Sequence, residues 1–228
     1  MATVTHAVTT PNTANASSYA SGAFTPNSND LLVVFVNARL TVAAGTCTSS
    51  VSGQSFVKVG SAVYAAGAHT LYCFISTRPA TNASQTVTFD CTGDASTGTI
   101  IHVSRVLNVE QLHGASAQRQ WNKTDNGAAA GTPAPVFSTA GLTDNVMLGA
   151  IANASNPAGL TPPASWNELA DSGNTETFGL ETAYIASGFT GTTVTWGSTS
   201  ATVFAALIVE INISRLPKLS VYPQILSH

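Results

Sequence analysis

Short runs rich in Val, Ile, Thr, Phe and Tyr alternate along the chain with clusters of Gly, Pro, Asn, Asp and Ser, and no stretch sustains a helical period. Strands and turns produce that pattern, because a strand's side chains alternate between faces and turn residues punctuate it. The pattern predicts strands near Asp30–Asn37, Ser55–Val59, His69–Ser76, Thr86–Cys91 and Thr99–Leu107. A second series is predicted near Val146–Asn153, Trp166–Ala170, Phe178–Ala186, Thr192–Trp196 and Thr202–Ile213. The expected fold is all-β: duplicated antiparallel β-sandwich repeats of jelly-roll or immunoglobulin-like type, with an extended C-terminal arm.

The two series match in order, which is the mark of an internal repeat. Leu31–Ala38 matches Val146–Asn153, and Ser55-Phe56 matches Ser165-Trp166. Tyr72–Ser76 falls opposite Thr182–Ala186, Thr86–Phe89 opposite Thr193–Trp196, and Ile100–Val103 opposite Ala206–Val209. The expected organisation is a first repeat over 1–110 including an N-terminal strand, a linker over 111–135, a second repeat over 136–213 and an arm over 214–228. The linker is polar and rich in Gly, Ala and Pro, as a boundary between packed units is. The arm is too apolar for a solvated tail and too broken by Pro217 and Pro223 for a helix. Its spaced Leu216, Leu219, Val221, Tyr222, Ile225 and Leu226 are candidate partner contacts.

Charge changes this picture most. Only 8% of the 228 residues are Asp, Glu, Lys or Arg, against about 25% in ordinary globular chains. With 44% hydrophobic residues the chain is no disordered polyelectrolyte. Thr182–Val209 contains no charged residue, and Asn126–Asn167 contains only Asp144. Interface cores are depleted of charge in the same way, so much of this surface is expected to be covered by neighbours. The net charge of −3 and the scattered Lys and Arg argue against nucleic acid and against a basic membrane-binding patch. No apolar run reaches the roughly 20 residues of a spanning helix, and the N-terminal stretch shows no secretory pattern.

Catalytic signatures are missing: no nucleophile elbow, no H-E-x-x-H, no C-x-x-C and no phosphate loop. The reading is therefore non-enzymatic, with no catalytic, cofactor or metal residues assigned. His102 lies on an apolar strand and reads as a packed sheet histidine, whereas His69 starts a strand and reads as solvated. Asp171, Glu176 and Glu181 form the densest acidic group, and a structural role is expected of them. Cys47, Cys73 and Cys91 read as core thiols, with a Cys73–Cys91 bridge as the alternative. Trp166, Trp196, Phe56 and Phe89 hold matched places and read as core. Trp121, in the linker, either packs over an edge of its own domain or serves as a stacking platform for a glycan.

The stretches FTPNSNDLLVVFVN, GQSFVKV, HTLYCFIS, QTVTFD and IIHVSRV resemble β-sandwich proteins of bacteriophages and prophages, over roughly Ser21–Glu110 and again weakly to Asn212. Such proteins are commonly virion accessory proteins on the capsid or tail. The resemblance implies a structural virion protein: a decoration or cement protein on a shell, often a trimer, or a tail-associated module, assembled in the host cytoplasm. Its partners would be other virion proteins and its own copies. The alternative is a glycan-binding module of a receptor-binding or surface protein, and a glycan-cleaving jelly roll is the third reading.

Overall fold

The computed structural model describes residues 2–40, 44–107, 114–125, 131–155, 160–174, 178–197 and 203–213. Among the described residues thirteen strands form and no α-helix. In chain order they are β1 (Thr3–Asn12), β2 (Ser18–Ala20), β3 (Leu31–Ala38), β4 (Thr46–Ser49), β5 (Phe56–Tyr64), β6 (His69–Ser76) and β7 (Val87–Asp90). There follow β8 (Thr99–Leu107), β9 (Gln118–Asp125), β10 (Val146–Asn153), β11 (Asn167–Asn174), β12 (Phe178–Ile185) and β13 (Phe204–Ile211).

Two five-stranded antiparallel sheets share one topology. The first runs β1-β8-β3-β6-β5 and the second β9-β13-β10-β12-β11, each strand taking the place of its counterpart in the other repeat. The likeness extends to irregularities: an extra residue bulges out of β5 at Val59 and out of β11 at Leu169, each against the next strand. A three-stranded sheet, β2-β7-β4, completes the first sandwich. In the second sandwich a short ladder does this work, with Phe137, Val194 and Trp196 donating their N–H groups to Thr192, Pro135 and Pro133.

The sandwiches stand back to back. One core joins Leu31, Phe35, Leu71 and Cys73 of the first large sheet to Leu148, Leu180, Leu207 and Val209 of the second. The opposite face of the first sheet packs Val34, Phe74 and Val103 against Tyr19, Cys47 and Phe89. The opposite face of the second packs Ile151, Ala183 and Ile208 against Trp166, Val194 and Trp196. Every residue of β3, β6, β10 and β13 is therefore buried. A strand covered on both faces carries a continuous apolar run instead of alternation, which is why LLVVFVNA and FAALIVEI read as they do.

Three expectations are corrected. Part of the expected linker is strand β9, which pairs with β13 along the second sheet's edge; an edge strand with one wet side needs few apolar residues, so QRQWNKTD looked like a connection. The repeat match is out by one residue in two strands. Leu31 pairs with Val106 and Val146 with Ile211, which superposes Val103 on Ile208 and not on Val209. Val33–Ile75 and Leu148–Tyr184 likewise superpose Ile75 on Tyr184, not on Ile185. Because side chains alternate, a one-residue slip exchanges the two faces. Finally, all three cysteines are free and buried; Cys73 faces the inter-repeat core and Cys91 the outer one.

Candidate functional site

The contact between the repeats holds a polar seam. His102 on β8 is fully buried, with Nδ1 3.1 Å from Thr182 Oγ1 and Nε2 2.6 Å from Ser172 Oγ across the seam. Burial first, and the neighbouring His6 ring at 5.8 Å second, depress its pKa to about 3. A neutral imidazole between two hydroxyls is satisfied, because one ring nitrogen donates and the other accepts. Nearby, Asn37 Nδ2 donates to Gly179 O at 2.9 Å and Tyr64 Oη donates to Asn37 Oδ1 at 2.9 Å. His69, expected in solvent, is buried between Tyr64 and Phe178, each ring 5.3 Å away. Its strand-initial position suggested exposure, but the second repeat covers that end. Burial, then the Arg39 charge, lowers its pKa to about 4. These groups do structural work.

Among the described residues the outer layer of the second sandwich has no third strand. In the first, β4 lies beside β7 as a third strand. In the second, the corresponding place holds Thr161-Pro162-Pro163, whose prolines lack the N–H a ladder requires. Thr161 O accepts one bond from Gly197 N at 3.0 Å. Beside this break an open groove of about 430 Å³ is walled by Pro163, Trp166, Ile185, Phe189 and Val194. Phe189 sets its edge against Trp166 at 6.1 Å and Phe137 at 6.2 Å, which fixes the groove's floor. No charged residue lines it. Val136 and Leu142 of the same sandwich are 45% and 46% exposed, unusual for large apolar side chains.

The acidic residues lie on the outer face of β11 and β12. Asp171 stands directly opposite Glu181 in the strand register. Glu181 is fully buried and neither carboxylate oxygen has a hydrogen-bond partner. Burial, then Asp171, then Glu168 push its pKa up to about 8. Asp171 is raised too, by burial and then by Glu168. Glu176 lies outside the described residues. Among the described residues no three His, Cys, Asp or Glu side chains are grouped to hold a metal ion.

The arm residues Leu216, Leu219, Val221, Tyr222, Ile225 and Leu226 also lie outside the described residues. Trp121 belongs to β9 and packs on the inter-repeat core. A Cβ added to Gly60 would come within 2.3 Å of its six-membered ring, so the glycine backbone lies directly against the indole. Trp121 is therefore a packing residue between β5 and β9, where a glycan platform was the alternative expectation. The groove is the feature that sequence reasoning missed: apart from Ile185 at the end of β12, the walls named above lie outside the strands, and only the Pro162-Pro163 pair hinted at a break in the ladder.

No family model matches the chain, and no curated protein matches it. A solved structure described as "Red Clover Necrotic Mosaic Virus" aligns over 96% of this chain and 98% of that one, with 9% identity and a TM-score of 0.25. A likeness that weak carries no argument about this chain.

Proposed function

We infer that this protein is a structural component of a viral particle, a capsid decoration or tail-associated protein that works through protein–protein contacts. The observation that carries this reading is the open groove beside Trp166 and Phe189, whose lining residues carry no charge. Interfaces concentrate aromatic residues and exclude charge at their centres, and the groove does both. The chain's 8% charged residues and the resemblance of its first repeat to phage virion proteins support the same reading. In it, the groove meets a neighbouring virion subunit, and the apolar residues of 214–228 add contacts to a virion partner. No observation favours sugar stacking at Trp121.

The test is a particle-binding assay with purified chain and the particle of its source. Wild type should bind in saturable, high copy number. Phe189→Ser, which removes apolar contact from the groove wall, should lower occupancy at least tenfold while circular dichroism stays unchanged. Deletion of 214–228 should lower it further. A chain that remains a monomer at high concentration and binds no particle would overturn the reading.

A further inference from the structure

The outer face of the second sheet carries three buried oxygens that have no hydrogen-bond partner among the described residues. Two are the Glu181 carboxylate oxygens and the third is Asn153 Oδ1, in side chains 0% and 4% exposed. Asn153 and Glu181 are diagonal neighbours on that face, since Asn153 pairs with Gly179 and Ile151 with Glu181. Asp171 stands across from Glu181 at the exposed rim. Towards Asn153 the adjacent register pair on the same face is Gly173 opposite Gly179, so on that side neither strand places a side chain beside the carboxylates. A buried acceptor without a partner is costly, and more so when charged, so a cluster of them demands a partner.

The first repeat shows that the scaffold does not require carboxylates or an amide here. Equivalent registers place Tyr72 where Glu181 stands, Ser61 where Asp171 stands and Ala38 where Asn153 stands. Tyr72 and Ala38 belong to an apolar core there. The oxygen set is thus particular to the second repeat. No Lys or Arg lowers the pKa of Glu181; the surrounding charges that act on it are both carboxylates.

The geometry points to a calcium site formed by Glu181, Asp171 and Asn153 Oδ1, with water or main-chain oxygens completing the shell. The donors are two carboxylates and an amide, the hard, mixed oxygen set that suits calcium. Magnesium suits it less, because it holds its waters and demands a near-ideal octahedron. Glu181 and Asn153 form the floor, and Asp171 at the rim leaves a route for the ion. The site is independent of the groove and of the assembly reading.

The full chain, stripped with chelator and dialysed, is melted in 5 mM calcium chloride, in 5 mM magnesium chloride and in sodium chloride of matched ionic strength. At roughly a hundredfold excess over Kd, calcium should raise Tm by roughly 5–10 °C, magnesium by much less and sodium chloride not at all. Titration calorimetry should give one calcium per chain. Glu181→Gln should melt as a folded protein and lose the calcium response. If that buried change prevents folding, Asp171→Asn at the surface decides, and it should weaken calcium binding at least tenfold. A wild-type Tm unmoved by calcium relative to sodium chloride overturns the site. So does a folded Glu181→Gln chain, or a folded Asp171→Asn chain, with an undiminished response.

Discussion

Arg105 and Glu210 occupy the same place in the two repeats with opposite charge. Arg105 lies opposite Leu32 in the first sheet, and Glu210 lies opposite Met147 in the second. Each fold copy solves the buried charge differently. Arg105 reaches Asp30 at 3.6 Å and keeps a partly wet side chain. Glu210 is fully buried and accepts from Arg119 at 2.5 Å, Gln120 Nε2 at 2.6 Å, Asn145 Nδ2 at 2.7 Å and Leu142 N at 3.0 Å. That network ties β9, the loop before β10 and β13 together.

Removing the acid from each pair should therefore cost unequally. Glu210→Gln strips the charge from four donors and leaves the Arg119 guanidinium with only the neutral acceptors Thr139 and Ala140, an expected loss of about 3 kcal/mol. Asp30→Asn weakens a longer, partly solvated pair and should cost about 1 kcal/mol. Urea denaturation of both variants checks the ordering; equal losses would show that the Glu210 network contributes no more than the Arg105 pair.

The histidines of the seam set the response to acid. His102 is held near pKa 3 in the fold against 6.5 for an unperturbed histidine, because burial disfavours its charged form. A depressed folded pKa means the unfolded chain binds the proton first. The stability is then complete above pH 6.5 and is lost as pH falls towards 3, at up to about 1.4 kcal/mol per pH unit for each such histidine. His69, held near 4, adds to the slope over the upper part of that window. Denaturation midpoints of His102→Gln followed from pH 7 to pH 4 should fall less steeply than those of wild type. Parallel curves would remove His102 as the cause.

The sequence showed most clearly what both-face burial produces. The uninterrupted LLVVFVNA of β3 and FAALIVEI of β13 mark central strands, and their order of recurrence disclosed the duplication. The edges were nearly silent. In β1 and β9 all but one residue of each strand is at least partly exposed, so TVTHAVTTPN and QRQWNKTD carry no apolar signature. The one-residue slip in the match had a similar origin: where every position is apolar, alternation no longer reports which face a residue serves. The groove and the unpartnered oxygens depend on which residues from distant parts of the chain lie beside them, and local composition does not encode that.

Gly60 and Trp121 give a test of the second edge. With a Cβ placed 2.3 Å from the ring, Gly60→Ala forces the indole off β5. Overpacking of this kind costs about 1–3 kcal/mol, and the displaced Trp121 should become more accessible to acrylamide quenching. Trp121→Ala in the Gly60→Ala background should abolish that extra cost, since the clash is then gone. An additive double mutant would mean the alanine is accommodated elsewhere.

The thiols offer a direct probe of the layer arrangement. Cys73 points into the core between the large sheets, whereas Cys47 and Cys91 lie under the small one. A β-sheet stands between Cys73 and Cys91, so no bridge joins them. Burial raises all three thiols, Cys91 to about 11 and Cys47 and Cys73 well above the ordinary thiol range, and a thiol that is neither ionised nor exposed does not react. The native chain should therefore give essentially no colour with a thiol-disulfide exchange reagent at pH 8, and three equivalents in denaturant without reductant. One equivalent in denaturant would mean that two cysteines had paired, which requires Cys47 and Cys91 to be the pair if the sheets are layered as described.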